Sequence, residues 1–442
     1  MEQQVKLKHP KGLYLISFVT LWERFSFYGL SAFLILYLNN SESDKLGGMG
    51  IERGNASIIV MTFMALCYLL SLPGGRIADR YMGKRRSIVI GGILIMFGLC
   101  SLALDLGAVS LFIGLSLICI GNGLFKPSAS SIIGDLYEQG DKRKDAAYTI
   151  FYMVFNGGAF AAPIICGYMN NWGYKYGFMV IAIGMVLGMI IYLFLAQKYL
   201  GDTGKQTIHE QNIQNKIEKK TLTKEEKNRI TVILVLILFV TFFWMGFSQA
   251  SSSFNLYTRD FINRKVFNWE IPVEWFQSVN PLLILILGAP ASALWLYLAK
   301  KGKDPSIPVK MGLGMLVLGI GFLFMVAAVM QRGGDNTNPA VKASLIFLVM
   351  TYLFNTIGEL CVSPIGLSMV SKLAPQRMTT FFMGTWFLGI FLAYFVGGFM
   401  ESFIDNFGAL TIFLSIAIFV SLLGIIILLI SKKLVRMMHG IV

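Results

Sequence analysis

This sequence is short of charge. Only 14% of its 442 residues are charged and 55% are hydrophobic, whereas a soluble globular chain carries about 25% charged residues. A soluble multidomain organisation is excluded on that ground. No G-x-x-x-x-G-K-[ST] phosphate loop occurs, so ATP does not drive the protein directly. H-E-x-x-H is absent, and the three histidines (His9, His209, His439) lie in polar segments. The five cysteines, Cys67, Cys100, Cys119, Cys166 and Cys361, all sit in apolar runs without metal-type spacing; they read as small core residues. With no nucleophile, metal or cofactor constellation, neither an enzyme nor a bound cofactor is expected. The polar start MEQQVKLKHPKG leads straight into an apolar run, and no cleavable signal is evident.

What the sequence has is long apolar runs. Crossing about 30 Å of hydrocarbon takes roughly 20 residues. Such runs fall near 13–38, 55–76, 87–107, 109–134, 146–170, 176–198, 230–257, 275–299, 308–330, 341–370, 379–403 and 409–431. Twelve spans put both termini on one side. Of the 38 Lys and Arg, 28 lie at the termini and even-numbered loops, including the adjoining span ends, and 8 on the opposite side. The basic side is cytoplasmic, so both termini are expected to face inward. The same distribution accounts for the net charge of +14, with no need of a nucleic-acid partner.

The longest polar stretch, 199–229, divides the chain into six spans and six spans. Three parts follow: a bundle at 1–198, a cytoplasmic linker at 199–229 and a bundle at 230–442. Two six-helix halves with a central linker are the organisation of the major facilitator superfamily. GGRIADRYMGKRR (Gly74 to Arg86) resembles that superfamily's loop signature after span two; AKKGKDPSIPVK in the second half is a weaker echo. Asp79, Arg80, Arg85 and Arg86 are expected to hold the inward helix ends together; the plainer reading is an ordinary basic loop.

Ionisable residues deep in a span cost about 2.5–3.5 kcal/mol on insertion scales and are functional candidates by default. Four stand out: Glu23, Arg24, Lys126 and Glu359. Glu23 lies roughly 18 Å from the cytoplasmic Lys11, and Lys126 about 13 Å from Asp135, beyond the reach of a snorkelling lysine. Glu359, roughly 26 and 20 Å from the flanking Lys342 and Lys372, belongs near the midplane. Structural ion pairs would be the plain account. Against it, the four come from both halves, and facilitators bind substrate near the midplane at the repeat interface. Two bases and an acid suit a zwitterion with separated ends. Thr20, Glu23, Arg24, Phe27, Tyr28 and Ser31 repeat at helical spacing and form one stripe, expected to face a wet cavity rather than lipid.

The motifs resemble the proton-dependent oligopeptide transporters (POT/PTR family) of the major facilitator superfamily over nearly the whole chain. WERFSFYG (Trp22–Gly29) is similar to the family's span-one motif. GNGLFKPSASSIIGDLY (Gly121–Tyr137) and FYMVFNGGAFAAPIICG (Phe151–Gly167) resemble its signature across spans four and five. NWGYKYGF (Asn171–Phe178), FFWMGFSQASSSFNLY (Phe242–Tyr257), WFQSVNPL (Trp275–Leu282), GELCVSPIGLSMVSKLAP (Gly358–Pro375) and MGTWFL (Met383–Leu388) continue the match. The resemblance implies an all-α membrane protein with twelve helices in two bundles, moving di- and tripeptides by alternating access. By position, Arg24 and Lys126 would receive the peptide carboxylate. Asn156, Asn280 and Glu359 would hold its amino end. Tyr28, Tyr68, Tyr152 and Trp386 would line the pocket, with Gln277 and Ser363 as weaker lining candidates. Helix packing is the plain alternative for the aromatic residues, and interhelical hydrogen bonding for the two asparagines.

The chain departs from the family where protons are handled. The first of two span-one glutamates is Thr20, an expected tyrosine is Phe27, and an expected basic residue is Ser31. Ser128 replaces an asparagine, and Phe247-Ser248-Gln249 stands where Phe-Glu-Gln is usual. A hydroxyl does not titrate at physiological pH. Glu23 and Glu359 are therefore the candidate proton carriers, and altered coupling is expected. The polar 199–229 segment leaves no room for the extra helix pair that bacterial members often carry. The expectation is a multi-pass protein of a plasma or bacterial inner membrane, a monomer, with a small peptide and a proton as substrates. A facilitator or exporter of another small zwitterionic or amphipathic metabolite is the alternative. A non-transporting membrane sensor would need a signalling segment beyond the short linker.

Overall fold

The computed structural model describes residues 9–138, 143–205, 222–335, 338, 340–375 and 379–440. Residues 206–221 of the expected linker, with His209, and the N-terminal residues 1–8 lie outside the described residues. The chain is a succession of long helices: α1 (Lys11–Asn39), α2 (Arg53–Leu69), α3 (Ser71–Ile77), α4 (Lys84–Leu104), α5 (Ala108–Asp135), α6 (Arg143–Asn170) and α7 (Tyr174–Leu200). The second half continues with α8 (Lys224–Phe247), α9 (Ser253–Phe261), α10 (Val279–Lys300), α11 (Ile307–Gln331), α12 (Leu345–Leu373), α13 (Thr379–Gly397), α14 (Met400–Phe407) and α15 (Ala409–Met437). Between α9 and α10 a hairpin pairs β1 (Lys265–Val266) with β2 (Trp269–Glu270).

Among the described residues, eleven helical segments are long and apolar enough to cross a membrane. Four are composite. A π-turn at Ala78–Met82 extends α2 and α3, a 3-10 turn at Ser248–Ser251 joins α8 to α9, a 3-10 turn at Val273–Ser278 leads into α10, and α13 continues into α14. The 29-residue α1 makes the twelfth helix; Glu23 and Arg24 at its centre lower its apolarity. Chain breaks follow local chemistry. Thr223 and Glu226 form a reciprocal capping box that starts α8. Gly83 at φ +76° turns the chain into α4, a conformation open to glycine and costly to a side chain.

Two compact units emerge from the packing: Met1–Leu30 with Leu70–Lys216, and Ser31–Leu69 with Ile217–Val442. In the first, α4 packs on α5 and α7. The contact with α5 is backbone to backbone, since a Cβ on Gly91 would lie 2.6 Å from the Gly121 carbonyl and one on Gly98 2.6 Å from that of Gly114. Small residues allow this approach where no hydrophobic force drives helices together in lipid. In the second unit α11 packs on α12 and α15 in the same way, with Gly314 against Gly358 and Gly312 against Gly424. Span three meets spans four and six; span nine meets spans ten and twelve. This repetition is how the two halves of a major facilitator resemble each other. The core of the second unit is aromatic, with Phe254 against Phe322 and Phe413 at 5.3 and 5.7 Å.

Candidate functional site

In the first unit the cations gather around two phenyl rings. Glu23 and Arg24 are buried at 1% and 7% exposure, and Arg24 Nε donates to Glu23 Oε2 at 2.6 Å. The Arg24 guanidinium lies 4.7 Å from the Phe155 ring centre and 5.8 Å from Phe27. Lys126 Nζ sits 3.9 Å above Phe27. Phe27 therefore offers its negative face to both cations, at the position where the family resemblance leads one to expect tyrosine. Tyr152 stacks on Phe155 at 6.0 Å and 10°, and Tyr28 meets Phe155 edge-on at 6.2 Å. Asn156, one turn beyond Tyr152, is buried and donates to the Tyr152 carbonyl at 2.9 Å. Thr20, Phe27 and Ser128 are buried; Ser128 Oγ donates to the Leu124 carbonyl at 2.7 Å. Along the span-one stripe only Tyr28 is half-buried rather than buried.

The Gly-Gly of the loop motif helps place Lys126. Pro127 has no N–H, so the carbonyl one turn back, on Gly123, loses its helical partner. Helix α3 closes on that carbonyl: a Cβ at Gly74 would lie 2.1 Å from Gly123 O, and one at Gly75 3.3 Å from Pro127. Of the expected loop residues, Arg85 ties the start of α4 to the end of α7, donating to Gln197 Oε1 at 3.2 Å and to the Gly201 carbonyl. Arg80 lies over the Tyr81 ring. The loop's tight ion pair comes from Lys84, which meets Asp135 at the end of α5 at 2.6 Å.

In the second unit Glu359 is the middle residue of α12, fourteen from each end. Its Oε2 accepts from Asn280 Nδ2 at 2.8 Å, and the same amide reaches Thr356 Oγ1 at 3.0 Å. Trp386 is buried over α12, where a Cβ on Gly366 would fall 1.9 Å from the indole. Tyr68 packs on Tyr394 at 5.5 Å. Gln277 donates to Asn255 Oδ1 at 3.1 Å and to the Ala250 carbonyl. Ser363, part-buried, lies one turn beyond Glu359 on α12. Ser31 is buried, and Ser248 Oγ donates to the Met245 carbonyl at 2.9 Å. Arg24, Tyr28, Lys126, Tyr152 and Asn156 are thus brought together in the first unit, and Asn280 with Glu359 in the second.

Sequence reasoning missed Phe155, Lys84 and Glu401. Phe155 follows Tyr152 by three positions, so helical spacing was a usable signal. Glu401 is 1% exposed and accepts from Arg53 at 3.1 Å; near the end of an apolar run it reads as a loop acid.

Twelve helices, their repeated packing and charges held inside membrane spans define a secondary transporter of the major facilitator type. The chain belongs to the POT family, whose profile matches residues 85–202 and 195–418. Its members are transporters, not enzymes. The uncharacterized transporter YclF of Bacillus subtilis is 32% identical, covering 98% of this chain and 96% of YclF. The peptide transporter YePEPT of Yersinia enterocolitica is 34% identical, covering 89% and 88%. A crystal structure of peptide transporter POT in complex with sulfate matches at a TM-score of 0.91 and 32% identity, covering 99% of this chain and 98% of that one.

Proposed function

We propose that this protein carries di- and tripeptides across a plasma or bacterial inner membrane by alternating access of two six-helix bundles, residues 1–198 and 230–442. The linker at 199–229 and both termini would be cytoplasmic. The observation that carries this reading is the segregation of charge: buried cations in one compact unit, a carboxylate at mid-helix in the other. Arg24 has Nε engaged by Glu23, and its two Nη groups suit a carboxylate in fork geometry. Lys126 adds a point charge. Glu359, oriented by Asn280, suits the peptide ammonium, with Asn156 assisting. Every peptide shares these two ends, while Tyr28, Tyr68, Tyr152, Trp386 and Ser363 would accommodate varied side chains. Asp79, Arg80, Arg85 and Arg86 would steady the cytoplasmic helix ends during the cycle.

Proton linkage is proposed with an altered network, because Thr20 and Ser248 cannot carry protons. Glu23 and Glu359 are the carriers in this reading, and the protein works as a monomer. Those same two hydroxyls favour a second reading, a facilitator or exporter of another small zwitterion. Uptake of labelled dialanine into proteoliposomes, with pH gradient and membrane potential imposed separately, decides between them. Saturable uptake competed by tripeptides is expected; no competition by any di- or tripeptide would sink the peptide assignment.

A further inference from the structure

The second unit holds a buried acid that the peptide-binding arrangement does not use. Glu401 stands at the start of α14, 1% exposed. One carboxylate oxygen accepts from Arg53 Nε at 3.1 Å; the other, Oε2, is buried with no hydrogen-bond partner among the described residues. Arg53 also meets Asp260 at 3.0 Å, and Asp260 is held again by Arg259, at 2.7 and 3.2 Å. Asp405 lies within electrostatic range of Arg53, Glu52 and Glu401. The side chains of Arg53 and Asp260 are 28% and 25% exposed, that of Glu401 1%. Water reaches the arginine, and the glutamate lies just behind it.

The hydroxyl of Ser253 stands beside the Glu401 carboxyl, and its orientation is fixed by a chain of neighbours. Gln249 Nε2 donates to the carbonyls of Met245 and Gly397 at 3.0 and 3.2 Å. A carbonyl can only accept, so the Gln249 amide cannot be flipped. Gln249 Oε1 must then accept, and Ser253 Oγ donates to it at 3.0 Å. Ser253 has spent its one proton and turns lone pairs toward Glu401. An ionised carboxylate cannot use that neighbour; a protonated one can donate to it. The chain also ends on position 248, where the family's usual glutamate is serine: Gln249 Nε2 lies 3.5 Å from Ser248 Oγ.

We infer that Glu401 is a binding site for the coupling proton, taking over from the carboxylate absent at position 248. In the step, a proton from water adds to Oε2 and a hydrogen bond to Ser253 Oγ forms. The Arg53–Glu401 ion pair loses its charge, and Arg53 keeps Asp260. The proton returns to water when the carboxylate re-ionises against Arg53. The inference rests on the proton-linked reading above, and its test separates the two. Wild type and Glu401→Gln are reconstituted with an internal pH dye and given dialanine. Infrared difference spectra are recorded on both proteins across pH without substrate. Expected are peptide-evoked acidification in wild type, its loss in the variant with a smaller loss of peptide exchange, and a titrating carboxyl band missing from the variant. Equal acidification in both proteins, or an unchanged carboxyl band, overturns the site. Should wild type take up no dialanine, the peptide reading falls while the infrared comparison still decides the proton site. If Glu401→Gln does not fold, Ser253→Ala serves: it removes the hydroxyl beside the carboxyl and should change the carboxyl titration, and an unchanged titration overturns the inference.

Discussion

The two compact units hold Glu23 and Glu359 differently. In the first, Glu23 is paired with its chain neighbour Arg24, and the cations Arg24 and Lys126 share the face of Phe27. In the second, Glu359 faces the neutral amide of Asn280. An acid paired with an adjacent arginine offsets that charge locally and leaves Lys126 as the added positive charge. An acid held by an amide has a neutral partner that orients it without bringing a charge of its own. In the proposed reading the first unit supplies the cationic end and the second the anionic one.

The strongest way to break this contrast is to remove one end and vary the peptide's matching end. Truncating one partner of a desolvated charge contact costs about 2–5 kcal/mol, or roughly one and a half to three and a half decades in affinity. Lys126→Ala should therefore lose most dialanine binding, yet distinguish little between dialanine and its C-terminal amide. Glu359→Gln should do the same for dialanine and its N-acetyl form. Competition assays with the two blocked peptides check both, and exchanged specificities would reverse the assignment of ends.

A middle-sized effect is expected at Phe155, whose ring takes Arg24 at 4.7 Å and stacks on Tyr152. A cation–π contact contributes about 0.5–2 kcal/mol. Phe155→Leu should weaken peptide affinity by roughly two- to thirtyfold, and titration calorimetry would show whether the ring matters as an aromatic face or only as volume. The smallest effect belongs to Arg85, an exposed tie between α4 and α7. Exposed polar ties contribute about 0–1 kcal/mol, so Arg85→Ala should leave peptide affinity unchanged and lower thermal stability only slightly.

Much of the fold was legible in the sequence because lipid permits little else. Backbone groups in hydrocarbon must bond within their own segment, so apolar length alone gives helices, and the described spans fall where the apolar runs lie. The repeated packing of α4 and α11 was not legible, because it depends on which glycines of other helices they meet. Composite spans were less legible: the breaks at Ser71, Ser248 and Met400 interrupt runs that read as continuous. The Gly-Gly motif was recognised as a loop signature, while its packing against the carbonyl freed by Pro127 depends on another helix.

The sequence by itself determined that this is a membrane transporter and which residues carry charge inside its spans. Those are properties of residue type and spacing, and desolvation makes each buried charge conspicuous. Partnership was decided by tertiary structure alone. That Arg24 leans on Phe155, Glu359 on Asn280 and Glu401 on Arg53 follows from packing between segments as far as 348 residues apart. No local pattern encodes such neighbours, because an acid near the end of an apolar run reads the same whether it meets water or a buried arginine.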